Sequence, residues 1–553
     1  MKKICKHCQD QFTISEEEKV FLKKMDVPYP TICNTCRMQR RLAFRNERYL
    51  YHNKCQLTGK QVITSLSREL GFKIYSIDAW WSDNWDALSY GREYDFSRGF
   101  FEQHYELKKE VPRLTLQQQL PMENSEYCNC ASKSKNCYLV FSSNSCEDCY
   151  YGSWVNSSIS CLDNLNIEDC ELCYECTNCR DCYNLKYSLD CANCSESYFL
   201  RDCIGCKNCF GCTSLNKAQY CIYNKQLDKK QYNDFIAKLD FGKHSEISRF
   251  KKEIESALGI ATVKRLHGTF LEDSSGDYLR QCRRVDTSFE CDSCEDIRYS
   301  TCVKQTKNSQ DFSYWGQNAE WIYECQACGY DLNNLRFCNL CWTSCSNLTY
   351  CDHCFSCSNC FGCVGLKKKS YCIFNVQYSK TEYERLVAKI TEQMKQNNEW
   401  GEFFPVEHST FAYNESLAQE QIPLSKSQVL KLKWNWQDED EKKKSSYIGP
   451  KIEIPNSIKE VDLEILNKIL LCEETSKPYK IIAAELTYYQ KNNIPLPRLC
   501  PDARHSKRIL LKNPRYLWER KCDGCKSKIQ TSYAPSRPER VLCESCYEEE
   551  IFK

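Results

Sequence analysis

"CIGCKNCFGC", residues 203–212, places a cysteine at every third position four times running, and "CFSCSNCFGC", residues 354–363, does so again. Outward from the first stretch the cysteines keep a period of twelve. One column reads Cys146, Ser158, Cys170, Cys182, Cys194, Cys206, and the next reads Cys137, Cys149, Cys161, Cys173, Leu185, Ser197, Cys209, Cys221. A third column holds Cys179, Cys191 and Cys203, and a fourth Cys176 and Cys212. All sixteen cysteines from Cys137 to Cys221 fall on these four columns, whose other positions are Ala, Ser, Val, Gly, Asn, Leu or Ile. Columns without charge or aromatic rings describe an interior. Helices repeat at about 3.6 residues and strands at about 2, and neither gives 3 and 12 together. The spacing therefore predicts a β-solenoid whose twelve-residue turns aim every third side chain at a narrow axis. Stacked about 4.8 Å apart, eight turns would span roughly 38 Å.

The residues after the second column are Tyr138, Tyr150, Leu162, Tyr174, Lys186, Tyr198, Phe210 and Ile222, an aromatic-rich flank. It reads either as stacking that stiffens the coils or as a platform for a partner chain or for bases. A second array, residues 282–372, is less regular. It keeps Cys291/Cys294, Cys325/Cys328, Cys338/Cys341 and the run from Cys351 to Cys372, and "QDFSYWGQNAEWIYE" (310–324) interrupts it. Cysteine is small, apolar and usually buried, so packing by free thiols is the favoured reading of both interiors. Thiophilic metal along the axis and disulfide rungs are the alternatives.

Two duplications organise the chain. At an offset of 151, "CIGCKNCFGCTSLNKAQYCIYNKQ" from Cys203 lies over "CFSCSNCFGCVGLKKKSYCIFNVQ" from Cys354, and the match continues into "YNDFIAKL" and "YERLVAKI". At an offset of 467 the two ends coincide: Cys5 with Cys472, Cys33 with Cys500, Cys55 with Cys522. The expected fold is mainly β with helical spacers, two cysteine-lined β-solenoids flanked by small treble-clef and zinc-ribbon modules. Its divisions are an N-terminal module (1–120), first solenoid (121–226), helical spacer (227–267), second solenoid (268–377), helix and linker (378–465) and C-terminal module (466–553). The spacer "FGKHSEISRFKKEIESAL" reads as an exposed helix and "NWQDEDEKKKSSYIGP" as a solvated linker. Ser457 and Glu460 form a capping-box signature for a helix over "IKEVDLEILNKILL".

The terminal modules carry the metal signal. Cys5, Cys8, Cys33 and Cys36 form two C-x2-C knuckles, as do Cys522, Cys525, Cys543 and Cys546. Two tight turns that each aim two sulfurs at one ion complete a closed tetrahedron, the pattern of structural zinc. In the other copies Thr475 and Ala503 replace the second and fourth ligands, and Thr58, Ser76 and Ala79 replace three. A rescue of the lost site by His505 with Cys472 and Cys500 is the disfavoured alternative. Five basic positions persist through the duplication: Arg37, Arg40, Arg41, Arg45 and Arg48 match Arg504, Lys507, Arg508, Lys512 and Arg515. Their spacing puts most of them on one helical face. Residues 1–60 carry 13 basic and 6 acidic residues, and residues 122–224 carry 7 and 13. A basic helix beside a zinc knuckle reads as a phosphate-backbone contact, with RNA or the ribosome as the favoured target. The alternatives are a solvated face, or docking on the acidic array of the same chain.

"CKHC…FTISEEEKVFL…PTICNTCRMQRR" resembles the treble-clef zinc-binding family of bacteria. The whole chain, with "AWWSDNWDALSYGREYDFSRGFFEQ" and "GEFFPVEHSTFAYNES", resembles cysteine-rich zinc-ribbon proteins of uncultured small-genome bacteria. That resemblance implies zinc at Cys5, Cys8, Cys33 and Cys36 and no particular activity. The solenoid spacing is similar in period to the twelve-residue β-helix of certain insect antifreeze proteins. There is no HExxH, phosphate loop or nucleophile elbow, and a closed four-thiolate site leaves no place for a water, so no enzyme is expected. No apolar run reaches membrane length, and "MKKICKHCQDQF" has no apolar signal core. A cytoplasmic zinc protein is expected, with nucleic acid first among its partners, a protein scaffold role or thiol-based metal buffering as alternatives, and no membrane.

Overall fold

A computed structural model describes residues 1–551 apart from 312, 315, 317–318, 328, 330–334, 343–344 and 439–448. Most of the expected solvated linker (439–448) and part of the interruption in the second array lie outside the described residues. The chain is mainly β, with a solenoid between residues 118 and 373 and thiol clusters at both termini.

The twelve-residue period is the register of the strands. Ser153 pairs in parallel with Leu165, Leu165 with Thr177, and Tyr183 with Ser195. In the second array Arg283 pairs with Glu295 and Glu295 with Lys307, and Ser346 with Ser358 and Ser358 with Ser370. Between these stretches the spacing slips: Arg336 pairs with Thr349 and Cys341 with Cys354, thirteen residues apart. Each turn has four corners. From Cys130 to Asp202 every third residue has a φ near +50° (Asn136, Asp148, Asn178 and Asp190 among them). Asn and Asp tolerate this left-handed conformation better than other side chains. They also bridge coil to coil: the Asn136 amide donates to Asp148 at 3.1 Å, and Asn178 to Asp190 at 2.9 Å.

All sixteen cysteines from Cys137 to Cys221 are free and buried. Thirteen of these thiols lie within reach of two carbonyls, one two residues back and one nine residues on, in the next coil; Cys191, Cys212 and Cys221 reach only the first. Cys146 Sγ is 3.5 Å from Asn144 O and 3.0 Å from Val155 O, and Cys194 Sγ is 3.4 Å from both Ala192 O and Cys203 O. Serine serves the same purpose in the same columns: Ser158 Oγ donates to Asn156 O at 2.7 Å and accepts from Cys170 N at 3.2 Å. The interior thus selects a small side chain with one weak donor. Burial pushes the Cys191 thiol well above its ordinary range and Cys345 and Cys354 up to about 12, which keeps them protonated. Cys325, in the irregular stretch, is disulfide-bonded. Cys191→Ser should cost less than about 1.5 kcal/mol, and Cys191→Phe, overpacking a closed axis, about 3 kcal/mol or more; urea midpoints of the two variants check this.

Both solenoids close in the same way. Cys221–Ile222 turns back antiparallel on Lys225–Gln226, and Ser370–Ile373 on Val376–Gln377. At the two turns Asn224 and Asn375 have positive φ, and each accepts a hydrogen bond at 2.9 Å from a coil amide (Thr213, Val364). Helices Lys229–Ile236 and Lys380–Gln396 follow. The spacer helix forms over His244–Leu258 but is not fully exposed, because Ile247 and Phe250 are buried against Phe199 and Phe210. Over "IKEVDLEILNKILL" the capping box of Ser457 and Glu460 does form, yet it opens only a 3-10 turn, Ile458–Glu460. A second turn, Leu463–Asn467, and a strand, Leu470–Leu471, replace the expected helix. Tertiary burial of Ile458, Val461, Ile465 and Leu470 in one cluster with Tyr151 and Tyr174 decides the backbone there.

Candidate metal centres and the inward arginine helices

The terminal duplication holds element for element. Helices Glu16–Lys24 and Asn34–Leu42 correspond to Ala483–Lys491 and Pro501–Leu511, and the hairpin Tyr51–Lys54/Gln61–Thr64 to Trp518–Lys521/Lys528–Thr531. The first knuckle of each copy is one turn closed by the backbone. The amide five residues short of the closing carbonyl donates to it: Cys5 to Asp10, Cys55 to Lys60, Cys472 to Lys477, Cys522 to Ser527, at 2.8–3.0 Å. A left-handed residue completes each turn: Gln9, Gly59, Ser476 and Lys526.

In the two intact copies the four sulfurs converge. Cys5, Cys8, Cys33 and Cys36 lie within 4.8 Å of one another, as do Cys522, Cys525, Cys543 and Cys546. Cys8 Sγ is 3.8 Å from Cys33 Sγ, and Cys525 Sγ is 3.7 Å from Cys543 Sγ. A tetrahedron with metal–sulfur bonds of about 2.3 Å has edges of about 3.8 Å. Backbone amides already point at the innermost sulfurs: Cys33 N at Cys5 Sγ, 3.3 Å, and Cys543 N at Cys522 Sγ, 3.2 Å. Hydrogen bonding from Cys36 holds Cys33 down to about 5, while burial pushes Cys8 up to about 12. Four sulfurs this close ionise together only around a cation. The geometry and donor set of both tetrads fit a metal ion.

The degenerate copies keep the fold with other contacts. Ser76 N still points at Cys55 Sγ, 3.3 Å, and Thr475 Oγ1 sits 3.7 Å from Cys500 Sγ, where the intact copies bring two sulfurs together. The fully buried Trp80 packs beside Trp85 and Phe355 at the Cys55 copy. His505 does not rescue a site; its Nε2 faces Glu420 Oε1 at 3.2 Å. Among the described residues no array cysteine joins a group of three close donors.

The ten basic residues do not form an outward face. Arg37 and Arg41 converge on Asp311, at 2.6 and 3.4 Å, and Arg504 and Arg508 converge on Asp163, at 3.1 and 2.9 Å. Asp311 and Asp163 are both fully buried corner residues with a φ of 58°. The supporting contacts are duplicated as well. Glu18 lies 3.6 Å from Arg37 and 3.3 Å from the Tyr299 hydroxyl; Glu485 lies 3.2 Å from Arg504 and 2.9 Å from the Tyr151 hydroxyl. The N-terminal module therefore clamps the second solenoid and the C-terminal module the first. Arg40 pairs with Glu324 and Glu402, Arg45 with Glu47, and Arg48 with Asp502. Lys512 and Arg515 share Glu290. Only Lys507, 55% exposed beside Glu474, faces solvent.

The aromatic flank is covered too. Tyr138, Tyr150, Leu162 and Tyr174 pack against the C-terminal module, and Tyr198, Phe210 and Ile222 against the two helices that follow the first solenoid. Periodicity disclosed the basic face and the aromatic flank but not what each one meets. Residues that sequence reasoning passed over include Asp163 and Asp311, whose only signal is an acid at a corner position.

No protein-family model and no curated protein matches the chain.

Proposed function

We propose that the chain is a non-enzymatic zinc protein in which closed four-thiolate sites fix the N-terminal knuckles and the C-terminal ribbon, and an arginine helix at each end clamps a pair of solenoids into a rigid platform for a protein partner. The observation that carries this reading is the pairing of tetrahedral sulfur spacing at both ends with arginine helices docked on Asp311 and Asp163. Zinc is assigned from the all-cysteine donor set and the C-x2-C spacing. Closed coordination leaves the ions no open position for chemistry. Recognition of RNA or another nucleic acid by the basic helices would require the arginines to abandon buried carboxylates, and metal buffering would require the array thiols to ionise in an apolar axis.

Elemental analysis and retention on a polyanion resin separate the three. The expected result is zinc bound at the two thiolate sites, with the array thiols outside the Cys325 disulfide free, and no retention at low salt. Retention that falls steeply with added salt would overturn the scaffold reading in favour of nucleic acid. Thiolate-bound metal well beyond two ions per chain would favour metal handling.

A further inference from the structure

A third cluster of donors lies away from both tetrads, where the first solenoid, the second solenoid and the C-terminal ribbon meet. Asp190 and Asp202 occupy the same corner of adjacent coils, twelve residues apart, and His267 stands at the entry to the second solenoid. One oxygen of each carboxylate and one ring nitrogen lie within 4.8 Å of one another. His267 Nε2 is 3.7 Å from Asp190 Oδ2 and 3.7 Å from Asp202 Oδ1. Those separations are too long for hydrogen bonds. They are close to the roughly 3.4 Å between two donors held about 2.1 Å from one tetrahedral ion.

The surroundings orient these donors. Asp277, 1% exposed, faces His267 Nδ1 at 3.1 Å and takes hydrogen bonds from the His267 and Tyr278 amides and from Ser532. A carboxylate on the far ring nitrogen fixes the tautomer that presents Nε2 as a ligand. The imidazole stacks on Tyr278, 4.4 Å between centroids and 5° from parallel, and the Tyr278 hydroxyl donates to Asp190 Oδ1 at 3.0 Å. Asn178 holds the same oxygen at 2.9 Å. The second oxygen of Asp202 is buried and accepts no hydrogen bond; its nearest cation is Arg201 Nε, 3.5 Å away. The Tyr533 hydroxyl shares a hydrogen bond with Nε2 at 3.2 Å, a contact that a bound ion would replace.

We infer that Asp190, Asp202 and His267 form a binding site for a borderline divalent cation of the zinc class, which clasps the two solenoids and the terminal ribbon together. One imidazole nitrogen and two carboxylate oxygens suit such an ion. Three carboxylates around one histidine leave surplus negative charge for it to neutralise. Nothing in this assignment depends on the thiolate sites.

The test uses the full-length chain, dialysed against buffered low-micromolar zinc and analysed for metal, with cobalt substituted in a parallel sample. Wild type should hold one equivalent more than the thiolate sites hold. Asp202→Asn should lose that equivalent, its affinity falling at least about 10-fold. Asparagine suits the left-handed corner, so this variant keeps its backbone. His267→Gln should behave alike. Cobalt in the thiolate tetrads shows sulfur-to-metal charge-transfer absorption, whereas cobalt at this cluster shows none, so failure of either kind of site is seen separately. A wild-type protein without the extra equivalent, or an Asp202→Asn protein that retains it, overturns the assignment.

Discussion

Asp163→Asn is expected to destabilise the chain by about 3–5 kcal/mol, although asparagine matches aspartate in shape and suits the left-handed corner. The cost arises from what stays behind. The asparagine carbonyl can accept from one of the two guanidinium groups but balances neither charge: Arg508 would be left without an anionic partner beside the Tyr151 carbonyl, at 3.1 Å, and Arg504 would keep Glu485 and the Tyr489 hydroxyl. Both guanidinium groups are about 5% exposed, so water cannot replace the lost carboxylate. Urea unfolding measures the shift. Adding Arg508→Met should recover part of it, because removing the stranded charge is less costly than keeping it. A loss below about 1 kcal/mol, or no recovery in the double variant, would mean that the clamp does not hold the module. Asp311→Asn, facing Arg37 and Arg41, should behave in the same way.

Chelation of the metal is expected to act unequally on the two ends. Cys33 is the N-cap of the helix that carries Arg37, Arg40 and Arg41, so losing an ion whose binding contributes roughly 10–16 kcal/mol should free that helix from Asp311. The matching helix at the other end starts at Cys500, in a copy with no tetrad, and Arg504 and Arg508 should stay docked. The ribbon at Cys522–Cys546 should loosen with its metal. Amide hydrogen exchange on stripped protein tests this: protection should fall at residues 1–48 and 518–551 and persist at 137–221 and 483–511. Equal loss of both arginine helices, or loss of neither, would contradict it.

The period of twelve was legible because the axis admits only small uncharged side chains, a restriction that marks every third residue from Cys137 to Cys221. The tetrads were legible because a two-residue spacer is what one tight turn needs. The basic face was legible as a face, but its partner was not: Asp163 and Asp311 are two among 74 acidic residues, and only the docked terminal modules bury them. The helix expected after Ser457 failed because a local capping signal carries less weight than the burial of Ile458 and Ile465. The Asp190/Asp202/His267 cluster becomes visible only once twelve-residue coils bring the two aspartates together.

The crossed clamps also set a timetable for synthesis. Arg37 leaves the ribosome 274 residues ahead of Asp311, and Asp163 leaves it 345 residues ahead of Arg508. At about 5–20 residues per second, the first arginine helix waits roughly 15–55 s for its carboxylate, and the first solenoid waits longer for its clamp. No nascent chain short of residue 508 can close both halves. A ribosome that stalls in the second solenoid therefore leaves an open intermediate with its cations and its acids both unmatched, the form of this chain most exposed to proteases and chaperones.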